Sequence, residues 1–209
     1  MTRAVFLDAL GTLVELEPPW ISLRDMVPSE VSDEQLVEAL KAEMAYYKEH
    51  AHEGHDEASL AELRERCAAI VSHKLGMDVG VDELVAAIRF SAYPDAVPAL
   101  STLRDRELRL VAVSNWDCSL PRVLEGCGLG EMLDGTITSA EAGARKPDPA
   151  IFEQALELAG CDASEALHVG DTAEEDVEGA SAAGIRSLLI DRDGGEGDIA
   201  SLEEIDKHL

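Results

Sequence analysis

Four short segments of this chain hold residue types able to do chemistry. In Asp8-Ala9-Leu10-Gly11-Thr12-Leu13 a carboxylate precedes a glycine-containing turn. A carboxylate so placed can act as a nucleophile, and it can equally cap the turn. Val111-Ala112-Val113-Ser114-Asn115 brings a hydroxyl and an amide to the end of an apolar run, where both can hydrogen-bond an anion, although Ser-Asn is also ordinary turn chemistry. Arg145-Lys146-Pro147-Asp148-Pro149 holds an ammonium in a segment stiffened by two prolines ahead of a helix; the alternative is a solvated lysine beside a helix start. Leu167-His168-Val169-Gly170-Asp171, followed by Asp176, supplies an oxygen-rich pair of the kind Mg²⁺ prefers, with helix capping by Asp171 as the plainer reading.

These segments need elements to bring them together. Residues 4–10 form an apolar run that reads as a buried parallel strand ending at Gly11. Residues 33–91 switch to helical spacing (Leu36, Leu40; Leu60, Leu63, Cys67; Leu84, Ile88), with no strand among them. Asp33 and Asp82 are expected to cap the first and third of these helices, and Gly54 and Gly76 to end the first two. After Pro94 the pattern alternates: helix 95–105, strand 108–113, helix 119–126, strand 133–138, helix 148–159, strand 166–170, helix 174–183 and strand 186–190. Such alternation implies an α/β fold, a Rossmann-like parallel sheet covered by helices on both faces, with an all-helical insert after the first strand. Ligands of such sheets bind at the carboxyl ends of the strands, which collects Asp8, Ser114, Asn115, the loop 139–148 and Asp171 at one rim.

The chain has 209 residues, enough for one large domain or a domain with an insert. With 43 acidic against 17 basic residues its formal charge is −26, a field that repels nucleic acid backbones and anionic membranes. Neither class of partner is expected. No run is long and apolar enough to span a bilayer or to serve as a signal peptide, and Cys67, Cys118, Cys127 and Cys161 lack metal or scaffold spacing, so reduced thiols in a cytoplasm are expected.

Taken in order, the four segments resemble the haloacid dehalogenase (HAD) superfamily. Ser114-Asn115-Trp116-Asp117, Thr138-Ser139-Ala140-Glu141, Lys146-Pro147-Asp148-Pro149 and His168-Val169-Gly170-Asp171 look most like its subgroup related to the rhythmically expressed gene product. The resemblance covers a core, residues 1–15 and 94–209, and makes the insert 16–93 a helical cap domain. It implies a Mg²⁺-dependent phosphatase for a small phosphorylated metabolite, working through an aspartyl phosphate. Asp8 would attack phosphorus. Mg²⁺ would be held by Asp8, the carbonyl of Leu10 and Asp171, with Asp176 behind them. Ser114, Asn115 and the N–H groups around Gly11 and Thr12 would hold the phosphoryl oxygens, and Lys146 would neutralise developing charge.

One position departs from the pattern: where the family's phosphatases usually carry a second Asp, as general acid and base, this chain has Leu10. The expectation is therefore a site lacking its acid and restricted to good leaving groups. Two alternatives follow, a metal-independent 2-haloacid dehalogenase and a catalytically weak anion-binding protein that recruits a partner.

Three other features invite a reading. His50, His52 and His55 have a metal-like spacing but are expected in a solvated loop, and His168 is expected to be a packed strand residue. Trp116 is expected to line the substrate cavity ahead of Trp20, with core packing as its alternative.

Overall fold

The computed structural model describes residues 1–209. Its centre is strand β1 (Ala4–Leu7), all four residues of which are buried. β1 pairs in parallel with β4 (Arg109–Ser114) on one side and β6 (Ala166–Gly170) on the other; β5 (Gly135–Thr138) and β7 (Arg186–Leu189) extend the sheet to the order β5-β4-β1-β6-β7. The chain therefore fills one side of β1 first and the other side afterwards. This reversal puts a crevice at the carboxyl end of β1, between the ends of β4 and β6.

Both faces of β1 are buried because its side chains alternate. Val5 and Leu7 pack with Leu100 and Leu103 of α5 (Ala96–Asp105) and with Ile205 of the C-terminal turn. Ala4 and Phe6 pack with Ile151, Phe152 and Ala155 of α8 (Pro149–Ala159). The parallel sheet, the helices on both faces and the helical cap after the first strand agree with the sequence reading. No helix is long and apolar enough to cross a membrane.

The cap comprises α1 (Pro19–Arg24), α2 (Asp33–His50), α3 (Glu57–Leu75) and α4 (Val81–Ala87) around its own core of Leu36, Leu40, Leu60, Leu63, Cys67 and Leu84. Its helix starts differ from expectation. Ser32, not Asp33, caps α2, accepting from the Gln35 N–H while the Gln35 side chain accepts from the Ser32 N–H. Gly80, not Asp82, precedes α4, with the Glu83 side chain accepting from its N–H. Asp33 and Asp82 instead occupy first turns, where the helix dipole favours a carboxylate without requiring a cap bond.

Strands were also missed at the base of the cap, where β2 (Val14–Leu16) pairs antiparallel with β3 (Phe90–Ala92). Three residues are too few to show alternation, and the tail of the helical pattern masks them. The first strand ends at Leu7 rather than residue 10, so Asp8 lies just beyond the sheet edge, its N–H donating to the Val169 carbonyl at 2.9 Å. The expected helix 174–183 is divided into a wide π-type turn, Ala173–Glu178, and a short α9, Gly179–Ala182. The wide turn carries Asp176 inward, to 1% exposure.

Candidate metal and anion site

Three strand ends and one loop converge at the crevice. Asp8, 6% exposed, follows β1; Ser114 ends β4; Asp171 follows β6; and Lys146, 1% exposed, arrives from the loop before α8. The Ser114 hydroxyl donates to Asp8 Oδ1 at 2.9 Å, and Lys146 Nζ donates to the same oxygen at 2.6 Å. Lys146 Nζ also reaches Asp176 Oδ1 at 2.5 Å. His168 Nε2 lies 2.9 Å from that oxygen, and the Thr172 N–H donates to Asp176 Oδ2 at 3.0 Å. Asp176 is fully engaged, whereas Asp8 Oδ2 accepts from no protein group.

Two glycines allow this crowding. A Cβ on Gly11, whose φ is +85°, would collide with the Asp171 carboxylate, and one on Gly170 would collide with that of Asp176.

Carboxylate oxygens of Asp8, Asp171 and Asp176 lie within 4.8 Å of one another. At an effective dielectric near 20, two such charges at that outer distance repel by about 3.5 kcal/mol, less where solvent screens the exposed Asp171. One ammonium pairs with two of them, Asp8 and Asp176. Burial pushes the Asp8 carboxyl up to about 7, with Asp176 and Asp171 adding to the rise and Lys146 only partly offsetting it. For Asp176 burial acts upward as well, but Lys146 and His168 outweigh it and hold the group well below the usual carboxylate range. Burial and the neighbouring Asp176 raise Asp171. Burial likewise works against a charged Lys146, yet the two carboxylates raise it and keep it protonated. The cluster is thus two negative charges in excess when all four groups are ionised. An oxygen-only donor set with that excess fits a hard divalent cation such as Mg²⁺.

This cluster corrects the expectation drawn from Leu10. An acid-depleted site, with the general acid replaced by Leu10, was expected because position 10 holds no carboxylate; the structure instead brings an intact centre of three carboxylates together. Two of its members, Asp171 and Asp176, come from the segment after β6 and owe nothing to the spacing after Asp8. The same cluster weighs against the two alternatives attached to that expectation, metal-independent dehalogenation and a silent anion-binding domain. Leu10 itself is half-buried against the core beside β1.

Other expected residues lie at the same rim, with partners the sequence did not reveal. The Asn115 side chain clamps the backbone of residue 146, donating to its carbonyl at 3.0 Å and accepting from its N–H at 2.8 Å. The Gly11 and Thr12 N–H groups donate to the Val14 and Ala9 carbonyls. The Thr12 hydroxyl, fully buried, has no partner. Trp116 is buried against Phe90 and also lines the cavity between core and cap. Trp20 is exposed.

Sequence reasoning missed Arg192, which donates to the Gly11 and Thr12 carbonyls, pairs with Asp95 at 3.1 Å and lies over the Tyr93 ring. It braces the turn after Asp8 from behind.

Above the crevice lies a cavity of about 400 Å³ between core and cap. Core residues Asp8, Ser114 and Asp171 form its floor, and Glu43, Tyr47 and Leu63 belong to its cap side. The Tyr47 hydroxyl donates to Asp117 Oδ2 at 2.7 Å, and the Cys118 N–H to the Gly54 carbonyl at 2.8 Å, so the cap is fastened to the loop that follows Ser114.

A parallel α/β sheet with a carboxylate cluster at its switch point, roofed by a helical cap, defines a capped hydrolase-type fold. A model of the haloacid dehalogenase-like hydrolase family matches residues 2–184, and the chain belongs to that family. Over 95 residues it is 44% identical to the haloacid dehalogenase-like hydrolase domain-containing protein 3 of Bos taurus, a stretch covering 46% of this chain and 38% of that relative. The match thus spans less than half of the curated relative's length. The crystal structure of a HAD phosphatase from Thermococcus onnurineus superposes with a TM-score of 0.70 at 26% identity, covering 100% of this chain and 97% of that one. The L-2-haloacid dehalogenase of Xanthobacter autotrophicus gives a TM-score of 0.75 at 20% identity, over 99% and 98% of the two chains, which is a likeness of fold.

Proposed function

We propose that this chain is a metal-dependent phosphohydrolase for a small phosphate monoester. The observation that carries the reading is the charge imbalance at the switch point: three carboxylates cluster around one buried ammonium, which pairs with two of them, beneath a cavity between core and cap. Asp8, Asp171 and the Leu10 carbonyl would hold a Mg²⁺ ion, with Asp176 supporting them from behind. When bound, the ion supplies positive charge to the phosphoryl oxygens.

The protein's own groups account for the rest. Ser114 and Lys146 both hold Asp8 Oδ1, which fixes the carboxylate and leaves Oδ2 as the oxygen that attacks phosphorus. As the bond from Asp8 to phosphorus forms, the bond to the ester oxygen breaks and that oxygen takes a proton from water; a further water then cleaves the acyl phosphate, freeing phosphate and the Asp8 carboxylate. Lys146 stays protonated throughout and offsets charge on the transferring group. The unpartnered Thr12 hydroxyl and the Ser114 hydroxyl are donors for phosphoryl oxygens, Asn115 keeps Lys146 in place, and Gly11 leaves room for Asp171. Trp116 and the cap side of the cavity receive the alcohol portion.

The core, residues 1–15 and 94–209, and the cap, 16–93, would act as two units around this cavity. The four thiols are all free, which supports a reducing cytoplasm. The test is hydrolysis of p-nitrophenyl phosphate with Mg²⁺ and with chelator, by wild type and Asp8→Asn. Turnover confined to wild type with Mg²⁺ is expected, and equal turnover with chelator would refute metal dependence.

A further inference from the structure

Glu43 is a buried carboxylate that the scheme above does not use. It lies on α2, is 5% exposed and lines the cavity together with Leu40, Leu63 and Cys67. No lysine, arginine or histidine pairs with it: the cationic residues lining the same cavity, Lys48, Arg64 and Arg145, make no ion pair to Glu43, and Arg145 turns instead to Glu175 at 3.5 Å. Its one polar neighbour is the Cys67 thiol, a weak donor. Asp117 nearby is the contrast. Equally buried, it receives the Tyr47 hydroxyl on Oδ2 and the Ser119 N–H on Oδ1.

A carboxylate out of water with only a thiol for a donor is costly, and a fold keeps one where something else supplies a cationic partner. Here the open side is the cavity. Burial pushes the Glu43 carboxyl up, as an unmet charge requires.

We infer that Glu43 is the specificity-determining residue for the leaving group, receiving a protonated amine on the alcohol portion of the substrate, so that the substrates are small amino-alcohol phosphates. The inference rests on the phosphohydrolase reading for the other end of the molecule, where the phosphate meets Lys146 and the acidic centre. A zwitterionic substrate also suits the chain's net charge of −26, since its ammonium offsets the long-range repulsion a bare phosphate meets. The apolar side chains around Glu43 strengthen the pair by excluding water.

Equilibrium binding tests this separately from turnover. O-phosphoethanolamine and propyl phosphate match in size and differ in an ammonium against a methyl group. By isothermal titration with Mg²⁺ present, using Asp8→Asn to prevent hydrolysis, the amine is expected to bind at least about tenfold more tightly, as a charge-assisted hydrogen bond does. Glu43→Gln in the same background should reduce that ratio to below about threefold. Should Glu43→Gln fail to fold, by circular dichroism, Glu43→Leu replaces it, since an apolar side chain suits the surroundings. Equal binding of the two ligands, or a ratio unchanged by either substitution, would overturn the role of Glu43. Turnover of p-nitrophenyl phosphate by wild type in the same preparation would then leave the phosphohydrolase reading standing, and its absence beside an intact amine preference would overturn only that reading.

Discussion

Lys146 Nζ donates to Asp8 Oδ1 at 2.6 Å across 138 residues of sequence, and the same ammonium is shared with Asp176. Both ends of the Lys146–Asp8 pair are out of solvent. Removing the ammonium would strand two buried carboxylates at once. Lys146→Met is therefore expected to lose about 3–5 kcal/mol of stability in urea unfolding at pH 7.5, far more than loss of an exposed ion pair such as that of Arg3 with Glu165. A loss under about 1 kcal/mol would show that the ammonium is not balancing the centre.

The pH dependence of stability has a definite sign. The Asp8 carboxyl, near 4 when unfolded, is pushed up to about 7 by burial and its acidic neighbours. Between about pH 4 and 7 the folded protein therefore holds a proton that the unfolded chain has lost, and stability from this group falls as pH rises through that window. Asp176 works oppositely: its depressed carboxyl contributes stability that is complete above about pH 4 and is lost only below it. Without metal, wild type should thus lose stability relative to Asp8→Asn between pH 4.5 and 7.5. Urea titrations of the two proteins at several pH values would check this, and parallel curves would contradict the shift.

Tyr47 and Asp117 tie the cap to the core at 2.7 Å. Tyr47→Phe leaves Asp117 Oδ2 buried without its donor, at a cost of about 1–3 kcal/mol. Hydrogen exchange should rise together in residues 51–56 and 116–119, because the Cys118 N–H bond to Gly54 shares the same seam. Faster exchange in the cap segment alone would mean that the two sides do not open together.

Much of the fold was legible because its signals are local. Apolar runs that end at Gly11, at Ser114-Asn115 and at Gly170-Asp171 mark strand ends, and strand ends in a parallel sheet share a rim. Asp8, Ser114 and Asp171 were placed for that reason, Lys146 by the prolines that flank it ahead of α8, and Asp176 by its nearness to Asp171. What escaped depends on distant partners. Asn115 reads as an anion donor until the backbone of residue 146, 31 positions on, is seen to take both ends of its amide. Glu43 was not singled out because nothing local says that its face of α2 closes over the cavity. Arg192 borders a glycine-rich surface loop and gives no sign of bracing the turn after Asp8. Leu10 misled in the opposite sense: the missing carboxylate at that position was read as a site without its acid, whereas the structure holds an intact cluster of three carboxylates, two of which follow β6.

The central claim, that three aspartates form one divalent-metal centre, is tested most directly by calorimetric titration of Mg²⁺ into wild type and Asp171→Asn at pH 7.5. Asp171 is the exposed member of the cluster, so its amide should fold normally while removing one of the three negative charges. The account expects a single site in wild type and at least about tenfold weaker binding in the variant. Equal affinity in the two proteins, or no saturable binding in wild type, would contradict it.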